Sequence, residues 1–135
     1  MSKKIFVNLP VADLDKSTTF FTKLGFSFNP QFTDDTAACM VISDDIYAML
    51  LTNAKFAEFT KKSIADATKT TEVLTALSMD SKAGVDTLVD AALKSGATEV
   101  REPMDYGFMY SRSFNDLDGH IWEWVYMDPS AVAEG

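Results

Sequence analysis

The sequence predicts an α+β fold built from two βαβββ modules, and three observations lead there. Apolar residues switch between alternation and helical spacing in the same order twice along the chain. The glycines that end the two helical stretches, Gly25 and Gly96, stand about seventy positions apart, as a duplicated unit requires. A chain of 135 residues, 47% of them apolar and with ten Phe, four Tyr and two Trp, can bury one substantial core.

The first module begins with "KIFVNLPVADL", a β-rich run that ends at Asp13. Leu14, Ser17, Phe20, Phe21 and Leu24 follow at helical spacing, with Asp13 as N-cap and Gly25 as stop. "FSFNPQF", "TAACMVIS" and "IYAMLLT" are three short strands parted by the turn signals "TDD" and "SDD". "NAKFAEFTKKSIADATKTT" is a short helix and a polar connector. The order then restarts. "EVLTALSMD" is a strand, and "SKAGVDTLVDAALKSG" is a helix with Val85, Leu88, Val89, Ala92 and Leu93 on one face. "ATEVREP", "FMYSRSF" and "HIWEWVYM" complete a second set of three strands. The expected organisation is one domain over residues 1–135, with modules at about 1–52 and 72–128 and a connector at 53–71.

The charge balance narrows the function classes. Twelve Lys and Arg against twenty Asp and Glu give a net charge of −8, which disfavours nucleic acid and anionic membranes as partners. A single cysteine, Cys39, excludes an internal disulfide and any Cys-based metal cluster; in the apolar run "AACMVIS" it is expected to be buried and inert. No signal-peptide core and no membrane-length apolar run is present, so a cytoplasmic location is expected.

The segment "NDLDGHIWEWVYMD" holds the chain's one histidine, His120, beside Glu123. They look like a metal pair, but strand geometry separates them. With period two, His120, Trp122, Trp124 and Tyr126 point to one face and Ile121, Glu123, Val125 and Met127 to the other. A calcium loop starting at Asp116 fails as well, because Met127 stands where the bidentate glutamate belongs. "NDLDG" is therefore a tight turn in which Asn and Asp side chains bond their own backbone and Gly119 supplies positive φ. His120 is a turn residue, and the tryptophan face is expected to pack against helices or to contribute to a dimer surface.

Two stretches carry a resemblance. Val11, Asp13, Leu14, Ser17, Phe20, Phe21, Leu24, Gly25 and Phe26 match the opening motif of the vicinal-oxygen-chelate superfamily, which includes glyoxalase I, bleomycin-resistance proteins and extradiol dioxygenases. Asp116, Asp118, Gly119, His120 and Glu123 match its closing motif, with Leu117 in place of the usual proline, and "DYG" at 105–107 resembles the aromatic–glycine turn that precedes it. Within the group the chain looks most similar to bacterial lactoylglutathione lyases. The resemblance implies that two βαβββ modules form a curved, incomplete barrel with a central cleft. It also implies homodimerisation and a divalent metal held by four ligands.

Those ligands are missing. The four positions correspond to Phe6, Leu50, Leu74 and Glu123, and only the last offers a metal-binding atom. No cofactor is therefore expected. The cleft implied by the resemblance is lined by Phe6, Asn8, Leu50, Leu74, Tyr106, Tyr110, Arg112 and Glu123, with Met40, Met49 and Met104 adding adaptable apolar surface. Glu123 in such surroundings must be paired or carry a proton; Asn8, Tyr106, Tyr110 and Arg112 are the candidate partners. Arg112 either meets a ligand anion or pairs with an acidic residue. Three functions follow in order of preference: metal-free binding of a small molecule of unknown identity, a lyase or isomerase using Glu123 as catalytic acid/base, and a non-catalytic dimeric scaffold.

Overall fold

The first strand of each half pairs in parallel with the last, the arrangement that makes a βαβββ module a unit. In the computed structural model, which describes residues 3–132, β1 (Ile5–Val11) lies beside β4 (Ile46–Thr52), and β3 (Ala37–Val41) and β2 (Ser27–Phe28) continue the sheet in antiparallel fashion. The second sheet repeats this order with β5 (Thr75–Ser78), β9 (Ile121–Met127), β8 (Met109–Asn115) and β6 (Thr98–Glu99). The fold class is α+β, and the shared pairing order supports duplication more strongly than residue identity does. The chain divides into two units, Met1–Ala65 and Asp66–Gly135.

In the first unit, α1 (Leu14–Lys23) starts where Asp13 adopts extended backbone and its carboxylate accepts from the Lys16 amide. It ends before Gly25, whose φ of 102° a side chain would resist. Its buried residues Leu14, Ser17, Phe20 and Phe21 are those its spacing predicts, and the two phenylalanine rings meet edge to face at 4.9 Å. The sheet face that α1 covers is set by register: Leu9 pairs with Leu50, and Ala48 with Met40, all of them buried. Cys39 is buried as expected, and burial pushes its thiol pKa up. "FSFNPQF" does not form a full strand. After Phe28 the chain turns through Pro30–Phe32, because Asn29 accepts from the Gln31 amide and Pro30 has no N–H for a ladder. A short helix α2 (Asn53–Ala57), capped by Thr52, packs back on β1 and β4.

In the second unit, α3 (Lys82–Lys94) is capped by Ser81 and buries Val85, Val89 and Ala92. It covers the face of β8 and β9 that carries Phe114, Trp122 and Trp124, each at most 2% exposed. The tryptophan rings lie 6.1 Å apart and nearly parallel. The tryptophan face is thus helix-packed core. Two expected strands are shorter than their sequences suggest. "EVLTALSMD" is extended and paired only over Thr75–Ser78, and "ATEVREP" only over Thr98–Glu99, where Pro103 and the bend at Arg101 end the ladder. The second unit also gains a strand that periodicity misses. β7 (Met104–Asp105) forms a hairpin with β8, closed by the Asp105 carboxylate accepting from Gly107 N–H at 2.9 Å.

The turn "NDLDG" is built around Asp116. Its carboxylate accepts from the Asp118 amide (2.9 Å), the His120 amide (3.0 Å) and Trp122 Nε1 (2.9 Å). Gly119 has φ of 90°, and a Cβ there would stand 2.6 Å from the Ala67 carbonyl oxygen. His120 contributes its backbone N–H and carbonyl to this turn.

Candidate functional site

Glu123 sits mid-strand in β9, flanked across the ladder by Ala76 of β5 and Ser113 of β8. Paired residues share a face, so Glu123, Ala76, Ser78, Ser111, Ser113 and Val125 occupy the side of the sheet opposite α3. Its two lateral neighbours are small, and the carboxylate rises above them. The residue that meets it is Arg101, from the segment between β6 and β7. One guanidinium nitrogen, Nη2, donates to Glu123 Oε1, and the other, Nη1, donates to Ser113 Oγ at 2.9 Å. The Glu123 side chain is 15% exposed and that of Arg101 34%, while Ser111 and Ser113 are buried. A half-desolvated ion pair on a floor of small side chains is thus held by two strands and one bend. Among the described residues Glu123 Oε2 accepts no hydrogen bond, and two of the five N–H donors of Arg101 are engaged.

Arg101 is not among the partners the sequence suggests for Glu123, which are Asn8, Tyr106, Tyr110 and Arg112. One signal points to it: the chain has only two arginines, 101 and 112, and Arg101 lies in a run read as strand, where a charged side chain calls for a partner.

The other predicted site residues distribute as follows. Tyr110 and Arg112 point away from Glu123. Register pairs them with Tyr126 and Trp124, on the face that α3 covers. There Tyr110 donates to Asp86 (2.6 Å), and Arg112 binds Asp86 (3.0 Å), Asp90 (2.9 Å) and Glu99 (3.3 Å). The alternative left open for Arg112 resolves to an acidic partner. The Tyr110 hydrogen bond, together with Arg112, holds the Asp86 carboxyl below its ordinary pKa, and the same hydrogen bond with burial raises the Tyr110 phenol. Burial disfavours the Arg112 charge, but Asp90 and Asp86 more than offset that and raise its pKa.

Leu50 is also displaced from its expected place. It pairs with Leu9 and is fully buried under α1, whereas Phe6 and Asn8 pair with Tyr47 and Met49 on the opposite face. A one-residue offset in alignment moves a strand residue to the other side of its sheet, and Met49 is the residue that shares the face of Phe6. Met40 belongs to the buried helix-facing side as well, while Met104 pairs with Ser111 on the Glu123 side. Phe6 is half exposed and stacks on Tyr47 with ring centroids 4.8 Å apart. Asn8 is exposed, and its side-chain amide donates to the Phe6 carbonyl. Leu74 precedes β5 and is 57% exposed; Ala76 is the residue beside Glu123. Tyr106 is exposed at the β7–β8 turn, stacked with Phe108 at 6.5 Å.

The metal implied by the sequence resemblance finds no donor set in these residues. Glu123 is occupied by a guanidinium, Phe6, Leu50, Leu74 and Ala76 have no coordinating atom, and the Met49 thioether is a poor ligand for hard or borderline ions. Among the described residues no three His, Cys, Asp or Glu side chains converge as a metal site, and no helix is long and apolar enough to cross a membrane.

Two parallel-closed βαβββ modules with the D-x-D-G-H turn before the last strand define a glyoxalase/bleomycin-resistance type of fold, and the relatives agree. Residues 3–43 match the family model of the bleomycin resistance protein-like N-terminal region. A hypothetical protein of S. aureus, SA1046, is 31% identical in structure-based comparison, covering 93% of this chain and 95% of that one, with a TM-score of 0.77. A glyoxalase/bleomycin resistance protein/dioxygenase family enzyme of Burkholderia phytofirmans PsJN is 17% identical over 93% and 99% of the two chains, with a TM-score of 0.75. A glyoxylase/bleomycin resistance protein/dioxygenase domain of Frankia sp. EAN1pec is 22% identical over 94% and 93%, with a TM-score of 0.69. No curated protein matches the sequence. Over nearly its whole length the chain thus has the fold of the glyoxalase/bleomycin-resistance/dioxygenase proteins, and its first 43 residues include the match to the bleomycin resistance protein-like N-terminal model.

Proposed function

We propose that this protein binds a small organic molecule without a metal ion, at the sheet face that carries Glu123. The observation that carries this reading is the Arg101–Glu123 ion pair: the carboxylate at the family's metal-ligand position is already neutralised by a side chain of the chain itself. The surrounding Ala76, Ser111 and Ser113 are too small to fill the space above the pair, and a partly desolvated polar pair in such a setting orients ligands. An acid/base role for Glu123, as in a lactoylglutathione lyase, is the weaker reading, because its Oε1 is already engaged by Arg101 Nη2. We further propose that the protein acts as a homodimer in the cytoplasm.

Two measurements test the reading. Elemental analysis of protein purified without chelator is expected to find no stoichiometric zinc, nickel, iron or manganese. One metal ion per chain, lost in Glu123→Ala, would overturn it. A thermal-shift screen of small organic molecules is expected to yield compounds that raise the melting temperature of the wild type and not of Glu123→Ala. A screen with no such compound favours the scaffold role instead. Light scattering on the same samples reads the oligomeric state.

A further inference from the structure

We infer that Arg101 takes the place of the metal ion as the fixed cationic centre of this site, and that the group it receives is a compact carboxylate on the ligand. This deepens the small-molecule reading above and rests on it. The superfamily position that would hold a cation by way of Glu123 has a cation here, one that is covalently part of the chain.

The geometry supports an anion-receiving role in three ways. First, the guanidinium is immobilised. Glu123 and Ser113 each take one of its terminal nitrogens, and both come from neighbouring strands of one sheet, so little orientational freedom is lost when a ligand docks. Second, three of its five N–H donors make no hydrogen bond among the described residues, and the side chain keeps a third of its surface accessible. A planar fork with free donors matches a carboxylate, which accepts two parallel bonds, better than it matches a neutral carbonyl. Third, the site is local. In a chain of net charge −8, a generalised attraction for anions is absent, so binding of a small dianion reports a specific donor cluster. The other arginine does not compete for this role, since Arg112 is 11% exposed and already paired with three carboxylates, those of Asp86, Asp90 and Glu99.

The test uses oxalate and its neutral isostere oxamide as probes, by calorimetric titration of the full chain. Wild type is expected to bind oxalate and not oxamide. Arg101→Met is expected to lose oxalate binding. Arg101→Lys, which keeps the charge but not the fork, is expected to weaken it about tenfold or more. Glu123→Gln keeps an oxygen acceptor for Arg101 while removing the competing negative charge, so its oxalate affinity is expected to hold or to rise. Circular dichroism confirms folding of each variant, and should Arg101→Met fail to fold, the Lys variant decides. Equal binding of oxalate and oxamide, unchanged binding in the Lys variant, or no oxalate binding by wild type would each overturn the inference. If wild type ignores oxalate yet neutral compounds from the thermal screen bind and are lost in Glu123→Ala, the small-molecule reading survives and only the carboxylate assignment fails. If neither class binds, both fail.

Discussion

Trp122 Nε1 donates to Asp116 Oδ2 at 2.9 Å, which ties the core of the closing strand to the turn that starts it. Asp116 is 7% exposed and accepts from two backbone amides as well, so one carboxylate organises the whole D-x-D-G-H segment. Asp116→Ala leaves the Trp122 indole N–H and both amides without their acceptor, and a loss of about 3 kcal/mol is expected by urea denaturation. Asp116→Asn keeps one acceptor oxygen but turns an N–H2 toward Trp122 or the amides, so an intermediate loss is expected.

Gly119 and Gly107 form a matched pair of glycines. Both have positive φ, 90° and 82°, but a Cβ at 119 would meet the Ala67 carbonyl oxygen at 2.6 Å, while one at 107 would meet nothing within 4 Å. Gly107→Ala is expected to cost about 1 kcal/mol from backbone strain alone. Gly119→Ala is expected to cost clearly more, about 3 kcal/mol, because the main chain at 66–68 must move. Equal melting temperatures for the two variants would contradict the packing of that segment under the turn.

The opposite faces of β1 and β4 predict opposite tolerances. Leu50 is fully buried beneath α1, and Leu50→Ala is expected to cost about 3 kcal/mol. Phe6 is half exposed, and Phe6→Ala is expected to cost about 1 kcal/mol or less, chiefly the stacking on Tyr47.

Acid stability is expected to respond with opposite sign at two carboxylates. Asp86 has its folded pKa lowered by Tyr110 and Arg112, so its contribution is present above the ordinary aspartate pKa and is lost as pH falls through the folded value. Asp116 has its folded pKa raised by burial, against the opposing effects of His120 and Trp122, so its contribution is present at low pH and is lost as pH rises through the folded value. Urea unfolding across the range from about pH 3 to about pH 6 checks this. Asp86→Asn should flatten the acid loss of stability, and Asp116→Asn should steepen it. Because Asp86 is half exposed, its effect should be modest and should shrink in high salt.

Much of this protein was legible in its residue pattern. The helix over 14–23 follows from Asp13, the apolar spacing and Gly25, all of which act within a few residues of each other. The same is true of the turn around Gly119, and within β9 period two sets Trp122 and Trp124 on the face opposite Glu123. Strand ends were less legible. The pairing that stops β5 at Ser78 and β6 at Glu99, and the hairpin that creates β7, depend on partners far along the chain.

What the sequence by itself determined is therefore local and periodic: the order of elements, their caps, and the opening and closing motifs that go with this fold. Only the tertiary structure decided which side of a sheet each residue faces relative to its neighbours and which charges meet. Leu50 lies on the face opposite Phe6, and Tyr110 and Arg112 lie on the face opposite Glu123, because a face is defined by register across strands and a shift of one residue inverts it. The pairing of Arg101 with Glu123, 22 positions apart, was hidden for the same reason. Charge pairs obey distance in space, and the fold alone converts sequence separation into distance.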